Sequence, residues 1–327
     1  MAAVQDLSIR QLQYVVAVAD TLGFHRAAER CAVSQPSLSA QVREVEEVLG
    51  VALFERDKRR VLVTPAGEVV VERARRVLLE LSDLLAAAAR VKDPLAGTVR
   101  IGVIPTVAPY LLPDVTLAWG REYPRLSVVW QEAMTAELLR QLRGGELDAA
   151  LLAVVPGMDG LVVASVGDDP FVLALPHLHP LASKKRVAMR DLDGKGVLLL
   201  DDGHCLRAQA LALCAKAGAR ESDLRATSLA TLAQMVSAGA GMTLLPTMAT
   251  AVENRRGQLE LRPFEPPVPS RTIALAWRAS SPYQQTFEAL AASLRGVLGH
   301  SSASAPSLRA SSRHQAATPS KAPGVRR

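Results

Sequence analysis

From residue 98 the sequence alternates apolar runs of strand length, "TVRIGVIP", "LSVVWQEA", "DAALLAVV", "FVLALP", "GVLLLDD" and "RTIALAWR", with helical stretches such as "TAELLRQLRGG" and "TLAQMVSAGAG". No other feature narrows the fold as far. A short run that is apolar on both faces must be covered on both faces. Helices between successive runs supply that cover, which specifies an α/β fold with largely parallel sheets. The runs form two groups, so the spacing predicts two lobes: lobe I from residues 98–168 and 271–300, lobe II from 169–270, with the chain crossing near 168 and returning near 270. In such a fold a ligand sits at the strand carboxyl ends, in the cleft between the lobes.

Before that point the apolar residues follow a helical period. "IRQLQYVVAVADTL", "FHRAAERCA" and "VSQPSLSAQVREVEEVLG" read as three helices, the last capped by Ser34 with Pro36 in its first turn. "VALFER" and "RVLVT" then read as two short strands around a basic turn at 57–60. Residues 1–64 are therefore expected to form an all-α winged helix-turn-helix domain, its wing a two-stranded hairpin. One long helix is predicted over 65–92. It carries Val70, Val77, Leu84 and Ala74, Leu81, Ala88 in two series that each repeat every seven residues. Spacings alternating between four and three make an a/d seam, the pattern of a dimerising helix; a single helix lying on its own domain is the competing reading. Residues 301–327 hold Ser, Ala, Pro and basic groups with almost no large apolar side chain, and are expected to be a disordered basic tail.

The net charge of +6 says less about nucleic acid than its size suggests. Residues 1–92 carry 13 Lys/Arg against 12 Asp/Glu, residues 93–300 carry 20 of each, and the tail supplies five bases and no acid. Local placement is more telling. The third helix opens with small polar residues, which lets its backbone enter a major groove: Ser34, Gln35, Pro36, Ser37, Ser39 and Gln41, with Arg43 available to a base or a phosphate. Leu38, Val42, Val45 and Leu49 are spaced to bury the opposite face, and Arg56, Lys58 and Arg59 of the basic turn would meet the phosphate backbone or minor groove. Alone, this is an ordinary capped amphipathic helix. The order of parts changes that: the run "LQYVVAVADTLGFHRAAERCAVSQPSLSAQVREVEEVLGVALFERDKRRVLVTPAGE" resembles the N-terminal domain of LysR-type transcriptional regulators, through the "AA" of the supporting helix, "SQPSLS", "LFER" and "TPAG". The resemblance extends over residues 8 to 298. It implies a winged helix-turn-helix, a dimerising linker helix and a two-lobed effector domain like periplasmic binding proteins.

Of three cysteines, Cys31 lies in the supporting helix and reads as a small packing residue. The other two, Cys205 and Cys214, fall in "GHCLRAQALALCAKAG". If that stretch is one helix, nine positions place the side chains on opposite faces and about 13 Å apart along the axis. A disulfide needs Cα atoms within roughly 7 Å. A static bridge is thus incompatible with the helix, and a zinc site built from His204, Cys205 and Cys214 meets the same obstacle and lacks a fourth ligand, so no metal is expected. Two readings remain: unrelated core cysteines, or a pair that meets only after oxidation has remodelled the segment. In the second reading Cys205 reacts first, favoured by the helix dipole and by His204 and Arg207, and opposed by Asp201 and Asp202, two acidic residues placed to cap the helix. Cys214, between Leu213 and Ala215, reads as a buried resolving thiol.

The same stretch, with "IPTVAPYLLP" at 104–113 and "RATSLATLAQMVSAGAGMTLLP" at 225–246, is similar to the hydrogen-peroxide-sensing members of the LysR family. That likeness implies that peroxide oxidises Cys205 to a sulfenic acid, that Cys214 closes a disulfide, and that the effector domain rearranges to alter DNA contacts. It also implies a peroxide pocket lined by Thr106, Thr135, Gly203, His204 and Arg207. Leu224, where some relatives have a histidine, and Ala208, where some have an aspartate, depart from the pattern in a way that bears on peroxide sensitivity.

The chain is therefore expected to be a peroxide-responsive regulator of oxidative-stress genes and not an enzyme. Its expected partners are double-stranded promoter DNA, a second copy in a dimer or tetramer, hydrogen peroxide, RNA polymerase and a cellular dithiol reductant, with no cofactor and no membrane. "MAAVQDLSIRQ" has no signal-peptide pattern and no stretch reaches ~18 consecutive apolar residues, so a cytoplasmic location is expected. Two rivals are weighed: a LysR-type regulator that binds a small organic anion in its cleft, its cysteines incidental, and a thiol peroxidase with a helical N-terminal domain.

Overall fold

The computed structural model describes residues 7–56, 61–90 and 93–304. Helices α1 (Ile9–Thr21), α2 (Phe24–Arg30) and α3 (Gln35–Leu49) pack around a shared core that includes Val18, Phe24, Leu38, Val42 and Phe54. Ser8 starts α1 with a capping box, its side chain and that of Gln11 each satisfying the other's backbone N–H. Cys31 is the residue that ends α2, half-buried against this core rather than inside the helix. Strands β1 (Phe54–Arg56) and β2 (Val61–Val63) pair antiparallel as the expected wing, Phe54 opposite Val63. Lys58 and Arg59 lie outside the described residues.

The "TPAG" stretch shows how the long helix α4 (Pro65–Arg90) begins. Thr64 Oγ1 accepts the Gly67 N–H at 2.9 Å and donates to the Ala52 carbonyl at 2.7 Å, so one hydroxyl caps the helix and ties it to the chain before the wing. A Cβ on Gly67 would stand 2.2 Å from the Leu53 carbonyl oxygen, which leaves room for glycine alone. The first turns of α4 then roof the helical core. Val71 and Ala74 are buried and Val70 is half-buried against it. Val70 and Ala74, expected in the seam, are therefore turned towards their own domain, and the exposed large apolar side chains of α4 are Val69, Val77, Leu84 and Leu85.

The remaining chain adds β3 (Gly97–Val103), α5 (Ala108–Glu122), β4 (Leu126–Glu132), α6 (Thr135–Arg143), β5 (Ala149–Ala153) and β6 (Leu161–Leu175). These are followed by β7 (Gly196–Leu200), α7 (Cys205–Ala217), β8 (Arg220–Ala226), α8 (Leu229–Ser237), β9 (Met242–Pro246), α9 (Thr247–Glu253), β10 (Glu260–Pro263), β11 (Ser270–Arg278) and α10 (Gln284–Ser304). Contacts divide the described residues into two units, one drawn from the segments 7–108, 112–166 and 273–295, the other from 109–111, 167–272 and 296–304.

In the first unit β3 runs parallel to both β4 and β5, and β11 pairs antiparallel with β5, Leu275 opposite Leu151. In the second, β7 runs parallel to β8 and β9, while β6 is antiparallel to β9 and β10. Each unit thus has a parallel core with antiparallel additions, a mixed arrangement where the apolar runs predicted largely parallel sheets. The reason is connectivity. Strands joined through a crossover helix come out parallel, whereas β6 and β11 are the strands along which the chain passes between units, and each runs against its neighbour. The polar strand β8 and the short β10 carry no apolar run and were invisible to that pattern. Among the described residues no helix is long and apolar enough to cross a membrane.

Candidate functional site

Strand β7 delivers the chain to a turn at 201–204, and α7 starts from it. Gly203 has φ +92°, a left-handed conformation that glycine adopts without strain. His204 is the N-cap, and its side chain makes no capping bond. The expectation that Asp201 or Asp202 caps this helix is thereby corrected: the Gly203 turn moves the helix start past both. The His204 ring is buried, with Nε2 3.1 Å from the Thr227 carbonyl oxygen. A carbonyl only accepts, so Nε2 carries the proton in this contact.

Helix α7 is unbroken from Cys205 to Ala217, and both of its thiols are free. Cys205 is half-buried in the first turn. Cys214 is buried with Leu206, Ala210 and Ala217 on the face that packs into the core of the second unit. Burial, and secondarily the negative charge of Glu221, push the Cys214 thiol up from its ordinary value. An intact helix of this length keeps the two sulfurs on opposite faces, separated by about 13 Å of rise.

Arg207 directs its guanidinium to two carboxylates and a backbone carbonyl. Its Nε donates to Asp202 Oδ1 at 2.8 Å, Nη1 to Glu221 Oε1 at 2.6 Å and to the Leu200 carbonyl at 3.3 Å, and Nη2 to Glu221 Oε2 at 3.2 Å. Arg225 closes a ring, donating from Nε to Glu221 at 3.1 Å and from Nη1 to Asp202 at 3.2 Å. The hydrogen bond from Arg207 holds the Glu221 carboxyl below the usual carboxylate range. Sequence reasoning missed Glu221 and Arg225 as partners because "RESDLRA" has no apolar alternation to announce a strand.

The residues expected to line a pocket divide between the two units. Thr106 and Thr135 are buried in the first, Thr135 opening α6. Gly203, His204 and Arg207 belong to the second. Thr135 Oγ1 has no hydrogen-bond partner among the described residues, which for a buried hydroxyl is costly unless something else supplies one. Gln209, one turn beyond Cys205 on the same helix face, likewise has a buried Oε1 without a partner and was not singled out from the sequence. Leu224 on β8 packs against the apolar core, and Ala208 is exposed.

On α3, Ser34 Oγ accepts the Ser37 N–H at 3.4 Å. Ser34, Gln35, Pro36, Ser37 and Arg43 are exposed, Ser39 and Gln41 half-buried, while Leu38, Val42 and Val45 are buried. Gln41 Nε2 is bonded to Glu44 at 2.9 Å. The helix therefore presents a polar edge and an exposed cationic side chain, Arg43, on a domain fixed from behind.

A winged helix-turn-helix, a long linker helix and a two-unit α/β body define a transcriptional regulator. Residues 9–68 match the model of the bacterial regulatory helix-turn-helix protein, lysR family, and residues 92–299 match the LysR substrate binding domain. The chain belongs to the LysR family. It is 47% identical over 290 residues to the hydrogen peroxide-inducible genes activator of Dickeya chrysanthemi, covering 88% of this chain and 95% of that protein. It is 44% identical over 296 residues to the DNA-binding transcriptional dual regulator OxyR of Escherichia coli K12, covering 90% and 97%. Among solved structures, a full-length OxyR variant from Pseudomonas aeruginosa is similar with a TM-score of 0.73 and 37% identity, over 88% of this chain and 95% of that one.

Proposed function

We propose that this LysR-family protein is a DNA-binding transcriptional regulator that hydrogen peroxide switches through Cys205 and Cys214. The observation that carries this reading is α7 itself: one continuous helix with a half-buried thiol at its start and a buried thiol on its opposite face. The Cys205 thiolate attacks one peroxide oxygen, forming a sulfenic acid and releasing hydroxide. The Cys214 thiol then displaces that oxygen, forming the S–S bond and releasing water. This second step requires α7 to unwind. Its first turn buries one large apolar side chain, Leu206, whose exposure costs about 1.5–3 kcal/mol, within reach of what a disulfide returns.

Thr106, Thr135, Gly203, His204 and Arg207 are assigned to the peroxide pocket, a role the unpartnered Thr135 hydroxyl supports. Ser34, Gln35, Pro36, Ser37, Ser39, Gln41 and Arg43 are assigned to base and phosphate contacts, with Arg56, Lys58 and Arg59 on the DNA backbone. Val77, Leu81, Leu84 and Ala88 are assigned to the dimer seam. The protein works in the cytoplasm as a dimer or tetramer on promoter DNA, recruits RNA polymerase, and is reset by a dithiol reductant. It is a sensor rather than a catalyst, since one oxidation per chain is the signal. The names of its relatives, hydrogen peroxide-inducible genes activators, agree with this chemistry.

The test is DNA footprinting of wild type and Cys205→Ser with and without stoichiometric peroxide, alongside mass-spectrometric mapping of the crosslink. A Cys205 to Cys214 bridge accompanied by a changed footprint in wild type alone supports the reading. A footprint that stays the same after full oxidation overturns it.

A further inference from the structure

We infer that Asp202, Arg207, Glu221 and Arg225 form an electrostatic latch that clasps the first turn of α7 to β8, with Glu221 the positioning residue that sets how readily Cys205 and Cys214 join. The inference rests on the thiol-switch reading above and extends it to four side chains, only one of which that reading uses.

The ring is closed and neutral. Each arginine touches both carboxylates and each carboxylate touches both arginines, at 2.6–3.2 Å. It joins three places in the chain: the turn before α7, the first turn of α7, and β8. Isolated surface ion pairs contribute little, but this ring is graded in exposure. The Arg207 side chain is only 10% exposed, Glu221 is 26% exposed and Arg225 44%. Removing Glu221 would leave the Arg207 guanidinium desolvated and short of partners, the situation in which breaking an ion pair matters most.

Of the four residues, Arg207 alone lies between the two cysteines in the chain. To bring the Cα atoms from about 13 Å to within roughly 7 Å, one end of the segment must move. The Cys214 end sits in the apolar core, whereas Cys205 is half-buried, so the first turn gives way and Arg207 goes with it. Asp202, Glu221 and Arg225 lie outside the closing segment. Bond formation therefore opens the ring, and the energy of the ring is set against the disulfide. The covalent step remains balanced as before: the Cys205 sulfenic acid and the Cys214 thiol yield the disulfide and water, peroxide being the oxidant. The charge of Glu221 serves the same resting state in a second way, by helping burial to keep the Cys214 thiol protonated.

The experiment equilibrates full-length protein in thiol-disulfide buffers of graded poise, at low and at high ionic strength, and quantifies the Cys205 to Cys214 bridge by differential alkylation. Glu221→Gln is expected to raise the oxidised-to-reduced ratio about tenfold at low salt, which for this two-electron couple is about 30 mV more negative. Wild type is expected to drift the same way as salt rises and screens the ring, and Glu221→Gln to stay flat. Arg225→Gln, at an exposed position, shifts the ratio in the same direction by less, and Glu221→Asp returns it towards wild type. Equal ratios for wild type, Glu221→Gln and Arg225→Gln at both salts would overturn the latch while leaving the switch intact. No bridge in wild type at any poise overturns both.

Discussion

The carboxylate of Asp83 on α4 and the guanidinium of Arg278 on β11 form a buried ion pair, with Arg278 Nη2 3.1 Å from Oδ1 and 3.3 Å from Oδ2. Arg278 Nη1 donates in addition to the Leu142 and Leu147 carbonyls, each at 3.1 Å. The linker helix is thereby pinned to the α/β part of its unit, and Leu79, one turn before Asp83, fills the space over Gly145 where a Cβ would stand. Asp83→Ala leaves a buried cation without its carboxylate and is expected to cost about 3–5 kcal/mol in urea unfolding. Asp83→Ala combined with Arg278→Met should recover much of that loss.

Gly67→Ala is expected to destabilise by about 1–3 kcal/mol, because the added carbon would stand 2.2 Å from the Leu53 carbonyl oxygen and backbone must shift to admit it. Thr64→Ala should cost about 1 kcal/mol by removing the cap of α4. Thermal melts of both variants check the pair, and an unchanged Gly67→Ala melt would contradict the close approach.

Leu84 is 65% exposed on α4, so Leu84→Glu should leave the stability of one chain nearly unchanged. In a dimer joined along this helix it places a charge in the seam. Sedimentation should show the dimer weakened; a dimer that survives intact would move the interface elsewhere.

Native-state alkylation is expected to label Cys205 and Cys31 and to spare Cys214 until the protein unfolds, since Cys214 is 2% exposed. Its thiol pKa is raised by folding. The sign follows: the folded state keeps the proton longer than the unfolded state, so this contribution to stability is whole below about pH 8.5 and is lost as pH rises through the folded value. Urea midpoints should fall above that pH in wild type and fall less in Cys214→Ala.

Arg43 is exposed on α3, and among the described residues no side chain is hydrogen-bonded or ion-paired to it. Arg43→Ala should weaken binding to every DNA sequence alike if the side chain meets phosphate, and lower the salt slope by about 1. Loss at one base position alone would assign it to a base edge instead.

The helix-turn-helix, its wing, the long helix and six of the strand-bearing segments could be read from the chain because each is announced by a local period. Residues within one turn, or two apart on a strand, decide those patterns. Strands β8 and β10 gave no such signal, the apolar run "MTLLP" of β9 was not singled out, and with β8 went the partners of Arg207. Likewise the heptad pattern correctly marked α4 as a helix with an apolar stripe, but spacing is blind to what covers each position, and Ala74 turned out to face its own domain.

What the sequence by itself determined is local: that Cys205 and Cys214 share a helix which keeps them apart, that Ser34 starts α3, and that α3 is polar at its start and apolar behind. What only the tertiary structure decided is which groups apart in the chain meet, such as Glu221 with Arg207, Asp83 with Arg278 and Gly67 with the Leu53 carbonyl. Helical and strand periods act over a few residues, whereas charge pairing across the chain depends on sheet order and register, which no short window of sequence contains.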